Sequence, residues 1–390
     1  MTIRYQIILI GNKHPFEKDI IDSLQMHLSE LGVDKNYLIK IDEHNFSTEY
    51  KSNAPAFCLY FGDSGGIFKN TNILDNLITD ATLIVPVVDD IDNFNPSIPK
   101  QLHSINGFEL SLVSRIEPLT NLILEGLGLL RISRRLFISY KRKESSLVAM
   151  QLYEELERAG FDVFLDTHSV RPGEPFQDEL WHRLADTDIV VLLNTPGFLT
   201  SEWTKEELAK ANAMQIGILQ LLWPSHTMEA SAALTTLFKL EDNNFGNGKF
   251  VDAKSYLADE TLNRIVEQAE FLRARSLAAR QDNLITEFMK ASSKVGKSTN
   301  LQPQKFIKTI KKNGDDIILI PTVGVPQAFN YNKSEEFINT LKLPKKPELY
   351  LLFDHINIRD NWLKHIDWLD HHLPVKTLRI TNAETWLQNI

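Results

Sequence analysis

Two short runs in this chain set reactive side chains where folded proteins often place their chemistry. Glu206 and Glu207 form an acidic pair shortly after Trp203, at the expected start of a helix. Carboxylates in a first helical turn are also favoured by the helix dipole, so position alone leaves two solvated acids as the plainer reading. Tyr140-Lys141-Arg142 closes the apolar run Leu136-Phe137-Ile138-Ser139 and makes a basic turn at a strand's carboxyl end. Open α/β sheets bind ligands at that end, although a solvated basic turn accounts for the same residues.

Two further groupings look reactive and are set aside. Gly62-Asp63-Ser64-Gly65-Gly66 spells the nucleophile motif of chymotrypsin-like proteases, whose chemistry needs a His and an Asp assembled on a double β-barrel. The pattern around it is α/β and no Pro follows it, so a flexible Gly-rich loop after a strand is the better reading. Such a loop could hold a phosphate at a sheet's carboxyl edge. His365, Asp367, Asp370, His371 and His372 crowd one stretch, with Asp367 and His371 one helical turn apart. No complete His-Glu-x-x-His pattern exists there, so a solvated helix end is expected and no metal.

The elements that must position these residues follow from periodicity. Short apolar runs at 6–10, 37–41, 57–61 and 82–88 read as strands, with helices at 15–31 and 73–78 between them. Strands are expected again at 136–140, 161–165, 189–193 and 216–223, alternating with helices at 147–159 and 175–184. A long helical pattern without Pro or Gly occupies 260–295, and 292–301 reads as a linker. Beyond it, strand-like runs at 316–321, 348–353 and 375–380 alternate with helices at 335–341, 359–369 and 383–390. Alternation of this kind predicts a parallel α/β layer in the first segment and in the central one, and a further small α/β unit at the end. The expected organisation is an α/β unit at 1–133, a central doubly wound domain at 134–257, a connector helix at 258–296 and a further α/β unit at 297–390.

Composition narrows the class. At 390 residues the chain exceeds one ordinary core, and 43% hydrophobic with 24% charged residues is ordinary for soluble globular proteins. A net charge of −9 argues against a broad nucleic-acid or anionic-membrane surface. Cys58 is the single cysteine, which excludes an intramolecular disulfide and fits a reducing cytosol. No run approaches the roughly 18 apolar residues that span a bilayer, and Met1 leads directly into a strand-like run without a signal-peptide pattern. A soluble, cytoplasmic protein is expected.

Five anchors occur in order through the middle of the chain. They are Phe137-Ile138-Ser139-Tyr140, Phe161-Asp162-Val163-Phe164-Leu165-Asp166, Val170-Arg171-Pro172-Gly173, Leu192-Leu193-Asn194-Thr195-Pro196-Gly197-Phe198, and Trp203 followed four residues later by Glu207-Leu208. Together they resemble the TIR domain family over less than a third of the chain. The first segment is similar to that fold in architecture only, as a flavodoxin-like or degenerate TIR-like unit.

The resemblance carries functional expectations. Some TIR domains only assemble; others cleave NAD+, and in those the glutamate matching Glu207 is catalytic. One carboxylate can suffice because nicotinamide already carries positive charge and leaves as a neutral base, so no general acid is required as in ordinary glycosidases. Lys141 and Arg142 would contact the diphosphate or shape the nicotinamide pocket together with Tyr140, and Trp203 would stack on a base or pack its helix. Arg171, Pro172 and Gly173 would lie on the loop that meets a neighbouring subunit. NAD+ is then a substrate and no cofactor is implied. Self-assembly through the TIR domain would activate cleavage, with a ligand or partner acting through the flanking units, in bacterial anti-phage defence. The alternatives are a non-catalytic assembly module and an enzyme making a cyclic ADP-ribose-type messenger.

Overall fold

The computed structural model describes residues 5–52, 54–80, 82–165, 176–198, 214–227, 235–302, 305–340, 343 and 345–390. Contacts divide the chain into two units, Met1–Ile132 and Ser133–Ile390.

In the first unit, β1 (Tyr5–Gly11), β2 (Leu38–Ile41), β3 (Ala56–Phe61), β4 (Leu83–Val88) and β5 (Phe108–Glu109) form a parallel sheet. Their order is β2-β1-β3-β4-β5. Ile7, Ile8, Leu9, Cys58 and Leu59 are buried because helices cover both faces, which is why these strands read as unbroken apolar runs. The helix Thr71–Thr79 packs Ile73, Leu74 and Leu77 against Ile8, Ile10, Cys58 and Tyr60. Helix Ile116–Gly126 and the two-residue β5 lie in a stretch to which periodicity assigned nothing. A strand of that length shows no period.

The second unit holds two sheets. In the first of them, β6 (Arg135–Ser139), β7 (Asp162–Leu165), β8 (Ile189–Asn194), β9 (Gly217–Leu222) and β10 (Thr236–Lys239) are again all parallel, in the order β10-β9-β8-β6-β7. Counted from β7, that is the strand order of the amino-terminal sheet. Only Phe238 of β10 is buried, so the edge strand carried no readable pattern. Leu136, Ile138, Tyr140, Val191, Leu193, Leu221 and Trp223 face helix Arg142–Arg158 and the start of a long helix, Asp259–Lys294. Phe137, Val190, Leu192 and Ile218 face the other way, toward Leu180 and Leu184 of helix Phe176–Ala185 and toward Phe198.

The long helix serves both sheets of this unit. Leu262, Ile265, Val266 and Ala269 join the core beneath β6–β10, whereas Leu284, Ile285 and Phe288 join that of the last sheet. Between these stretches, Arg273 Nε donates to Asp188 Oδ2 at 2.9 Å, with both side chains fully buried. Arg280 donates to the carbonyls of Thr187 and Ala185 at 2.7 and 2.9 Å, and Arg134 pairs with Glu270. These bonds fix the chain where it enters β8.

The last sheet runs β11 (Thr299–Leu301), β12 (Ile307–Ile310), β13 (Asp316–Pro321), β14 (Glu348–Phe353) and β15 (Lys376–Arg379), in that order. It is mixed: β11-β12-β13 are antiparallel and β13-β14-β15 parallel. The linker expected at 292–301 is therefore corrected, since the helix continues to Lys294 and β11 begins at Thr299. The polar triplet Thr-Asn-Leu becomes a strand only through pairing with β12, which no local signal reveals. Val325 N–H donates to Asp186 Oδ1 at 3.0 Å and the His182 ring stacks on Trp362 at 5.2 Å, joining this sheet's loops to the central one. In the His/Asp-rich helix Asp360–His372, Asp367 pairs with Arg379, and Asp370 accepts from Tyr331 and Thr377. Among the described residues no helix is long and apolar enough to cross a membrane.

Candidate functional site

In a 2-1-3-4-5 sheet the connections diverge between the first and third strands, leaving a crevice at their carboxyl ends. Here those strands are β6 and β8, and the residues that end them are Ser139-Tyr140 and Asn194-Thr195.

The two loops above this crevice are clamped together. Lys141 Nζ lies 2.8 Å from Glu144 Oε1 and donates to the Gly197 carbonyl at 3.0 Å. Glu144 Oε2 in turn accepts from the Gly197 N–H at 3.0 Å. Burial pushes the Glu144 carboxyl up, but Lys141, Thr195 and the Gly197 amide together outweigh it and hold the group below the usual carboxylate range. Position 197 must be glycine for this contact, because a Cβ there would stand 2.2 Å from both Glu144 Oε1 and Lys141 Nζ. Helix Arg142–Arg158 begins within the clamp and carries a non-helical Ser145 (φ −146°, ψ 21°).

Beneath the clamp lies a row of polar side chains with unmet hydrogen-bonding capacity. Ser139, Asn194 and Gln220 are 2%, 0% and 0% exposed. Strand alternation puts all three on the face of Phe137, Leu192 and Ile218. The register sets Ser139 and Gln220 on either side of Leu192, with Asn194 two residues nearer the carboxyl edge. Gln220 Oε1 accepts from Thr235 Oγ1 at 2.8 Å. Among the described residues, Ser139 Oγ, both amide atoms of Asn194 and Gln220 Nε2 have no hydrogen-bond partner. An unsatisfied buried polar atom costs about 1–3 kcal/mol, and four close together are a large concession in an otherwise apolar sheet. On the opposite face, buried Trp223 also leaves Nε1 unpaired, with its ring edge-on to Phe245 and Phe250 at 6.4 Å.

The predicted site residues fall into two sets. Tyr140 is buried on the core face of the sheet, Lys141 is held in the clamp, and Arg142 is an exposed first residue of its helix. Glu207, Trp203, Glu206, Arg171, Pro172 and Gly173 lie outside the described residues. In the sequence Ser139 and Asn194 stand only as letters of the motif runs, and Gln220 and Glu144 belong to none of the candidate groupings. The available signal was a polar residue closing or interrupting an apolar strand: Phe-Ile-Ser, Leu-Leu-Asn and Ile-Leu-Gln-Leu.

Comparison with known proteins agrees with this placement. The TIR domain family model matches residues 136–241, from the start of β6 to just past β10. A curated relative from Brachypodium distachyon, named a probable 2' cyclic ADP-D-ribose synthase, BdTIR, is 31% identical over 74 residues, which are 19% of this chain. The chain spans 33% of that relative's length. Residues 136–241 are a TIR domain, preceded and followed in the chain by further α/β sheets.

Proposed function

We propose that the TIR domain cleaves the nicotinamide–ribose bond of NAD+, with Glu207 as the acting carboxylate. The observation that carries this reading is the TIR match over 136–241, which contains Trp203 and Glu207 in the family's Trp-x-x-x-Glu-Leu spacing. The crevice at the carboxyl ends of β6 and β8, floored by uncharged polar groups that lack partners, supports it.

The chemistry asks little of the protein. The bond between C1′ and the pyridinium nitrogen breaks with its electron pair going to nitrogen, so nicotinamide departs neutral and unprotonated. Positive charge then develops on the ribose, and a fixed carboxylate in a water-poor crevice stabilises it electrostatically. Water adds its oxygen to C1′ and releases a proton, giving ADP-ribose. If a hydroxyl of the same molecule attacks instead, the product is cyclic. The relative's name as a cyclic ADP-ribose synthase favours keeping that second outcome. Lys141 is paired with Glu144, so its role in this reading is to hold the crevice walls, and Arg142 is the cation assigned to the diphosphate.

Activation by self-assembly, through the segment bearing Arg171, Pro172 and Gly173, belongs to the same proposal, as does a defence role. The test is NAD+ consumption by the full chain across a wide concentration range, beside Glu207→Gln. Activity rising more steeply than concentration and falling at least 100-fold in the variant is expected. Equal turnover by the folded variant removes Glu207 from the chemistry, and silence of the parent at every concentration favours the non-catalytic assembly module. Chromatography of the products separates ADP-ribose from a cyclic form.

A further inference from the structure

Ser139, Asn194 and Gln220 share one face of three adjacent strands, β6, β8 and β9. With neighbouring strands about 4.8 Å apart and second-neighbour residues along a strand about 7 Å, Ser139 and Gln220 flank Leu192 about 10 Å apart, and Asn194 stands about 8 Å from each, nearest the carboxyl edge. Each is at least nine-tenths buried, and none of the four atoms in question has a hydrogen-bond partner among the described residues. Asn194 is the most demanding: its Oδ1 and Nδ2 are both unpaired, a donor and an acceptor side by side in one plane. From Asn194 the chain leads through Phe198 into the segment that bears Trp203 and Glu207.

We propose that this row is the floor of the substrate pocket and that the Asn194 amide pairs with the carboxamide of the nicotinamide ring, an assignment that rests on the NAD+ reading above. A primary carboxamide offers one acceptor and one donor in a plane, the complement of the Asn194 side chain, so two parallel hydrogen bonds satisfy both. Ser139 Oγ and Gln220 Nε2 supply further bonds to neighbouring polar atoms of the ligand. All three side chains are uncharged, which suits this end of the dinucleotide and not its diphosphate. The arrangement also selects against the nicotinic acid form. A carboxylate there can only accept, so one hydrogen bond becomes an oxygen–oxygen repulsion in a buried site, where such mismatches discriminate strongly.

The test measures kcat/KM for NAD+ and for nicotinic acid adenine dinucleotide with the full chain, Asn194→Leu and Ser139→Ala, alongside each protein's melting temperature without ligand. Asn194→Leu keeps the side chain's size and removes the unpaired atoms. It is expected to melt at or above the parent and to lose at least 10-fold in kcat/KM for NAD+. The preference for NAD+ over the acid form should collapse, and Ser139→Ala should lose several-fold in the same direction without loss of folding. Unchanged kcat/KM and preference in Asn194→Leu overturn the assignment. A clear drop in melting temperature for both variants also overturns it, because the groups would then be bonded within the protein. A parent that consumes no NAD+ at any concentration defeats the substrate reading itself and the carboxamide assignment with it, whereas an active parent beside an indifferent Asn194→Leu defeats the assignment alone.

Discussion

The chain builds the same parallel sheet twice, in the order 2-1-3-4-5, and spends polar residues on the two in opposite ways. In the amino-terminal sheet the buried strand glutamine is Gln6, and its amide is fully used. Nε2 donates to the carbonyls of Lys51 and Ala54, and Oε1 accepts from the Lys51 N–H at 2.8 Å. In the TIR sheet the buried strand glutamine is Gln220, whose Nε2 bonds nothing, and Ser139 and Asn194 nearby are unsatisfied too. The loops differ in kind as well. Above β1 and β3, backbone closes on backbone, with Asn12 N–H donating to Phe61, Gly62 N–H to Val87 and Asp63 N–H to Ser97, and the uncharged Asn70 amide accepts from Gly11 N–H while Asp63 Oδ2 accepts from Ile67 N–H. Gly11, at φ +96°, lets Phe61 approach where a Cβ would stand 2.2 Å from its carbonyl oxygen. Above β6 and β8, the closure is made by the ionic clamp of Lys141 and Glu144. Asn12 Oδ1, just past β1, is the one comparable unpaired atom at the carboxyl end of the first sheet's central strands among the described residues, against four on β6, β8 and β9.

The largest effect that would sharpen this contrast lies at the amino end of β8. Arg273 and Asp188 are both fully buried, and among the described residues of the first unit no arginine is. Replacing Arg273 by Leu leaves Asp188 without its guanidinium, which costs about 4 kcal/mol, as removal of one partner of a buried pair does. Calorimetry of the full chain should show the transition of Ser133–Ile390 falling while that of Met1–Ile132 stays. Equal displacement of both would mean that the two sheets do not melt as separate units.

The pattern of legibility follows the same physics. Strands β1, β3, β4, β6, β8, β9, β13 and β14 were readable because they are largely buried and carry mostly apolar residues. The long helix was readable over its whole length, from Asp259 to Lys294, because no Pro or Gly interrupts it. β5, β10 and β11 were not, since short, exposed edge strands exist only by pairing with a neighbour. At the site, Tyr140-Lys141-Arg142 was legible as a basic turn, but its pairing with Glu144 and Gly197 was not, because Gly197 reaches the turn only through the β6–β8 crossover. Ser139, Asn194 and Gln220 looked like ordinary strand residues. What distinguishes them is the absence of a partner, and that property belongs to the three-dimensional structure alone.

A smaller effect tests the two glutamines directly. Gln6→Leu strips three backbone groups of their partner beside a partly exposed turn and should cost about 2 kcal/mol, water meeting part of the loss. Gln220→Leu removes an unpaired Nε2 and gives up one bond from Thr235, so it should shift stability by less than about 1 kcal/mol, in either direction. Urea denaturation of both variants decides the point. A Gln220→Leu loss as large as that of Gln6→Leu would erase the distinction drawn between the sheets.

The smallest effect concerns the clamp and is read through pH. The Glu144 carboxyl is held below its ordinary value of 4.5 despite the opposing effect of burial, by Lys141 first and then by Thr195 and the Gly197 N–H. A group whose folded pKa is depressed binds fewer protons in the folded state than in the unfolded state. Its stabilisation is therefore fully present above the unfolded value and is lost as pH falls through the folded one. Glu144→Gln keeps an acceptor for the Gly197 N–H but carries no charge. The parent and the variant should thus differ most at neutral pH and converge as pH drops below about 4.5. Because Glu144 is partly exposed, solvent screens the pair and the difference should be modest, shrinking further in high salt. A gap between parent and variant that persists unchanged into acid would show that the clamp acts through shape alone, and the second sheet's loops would then be closed no differently from the first's.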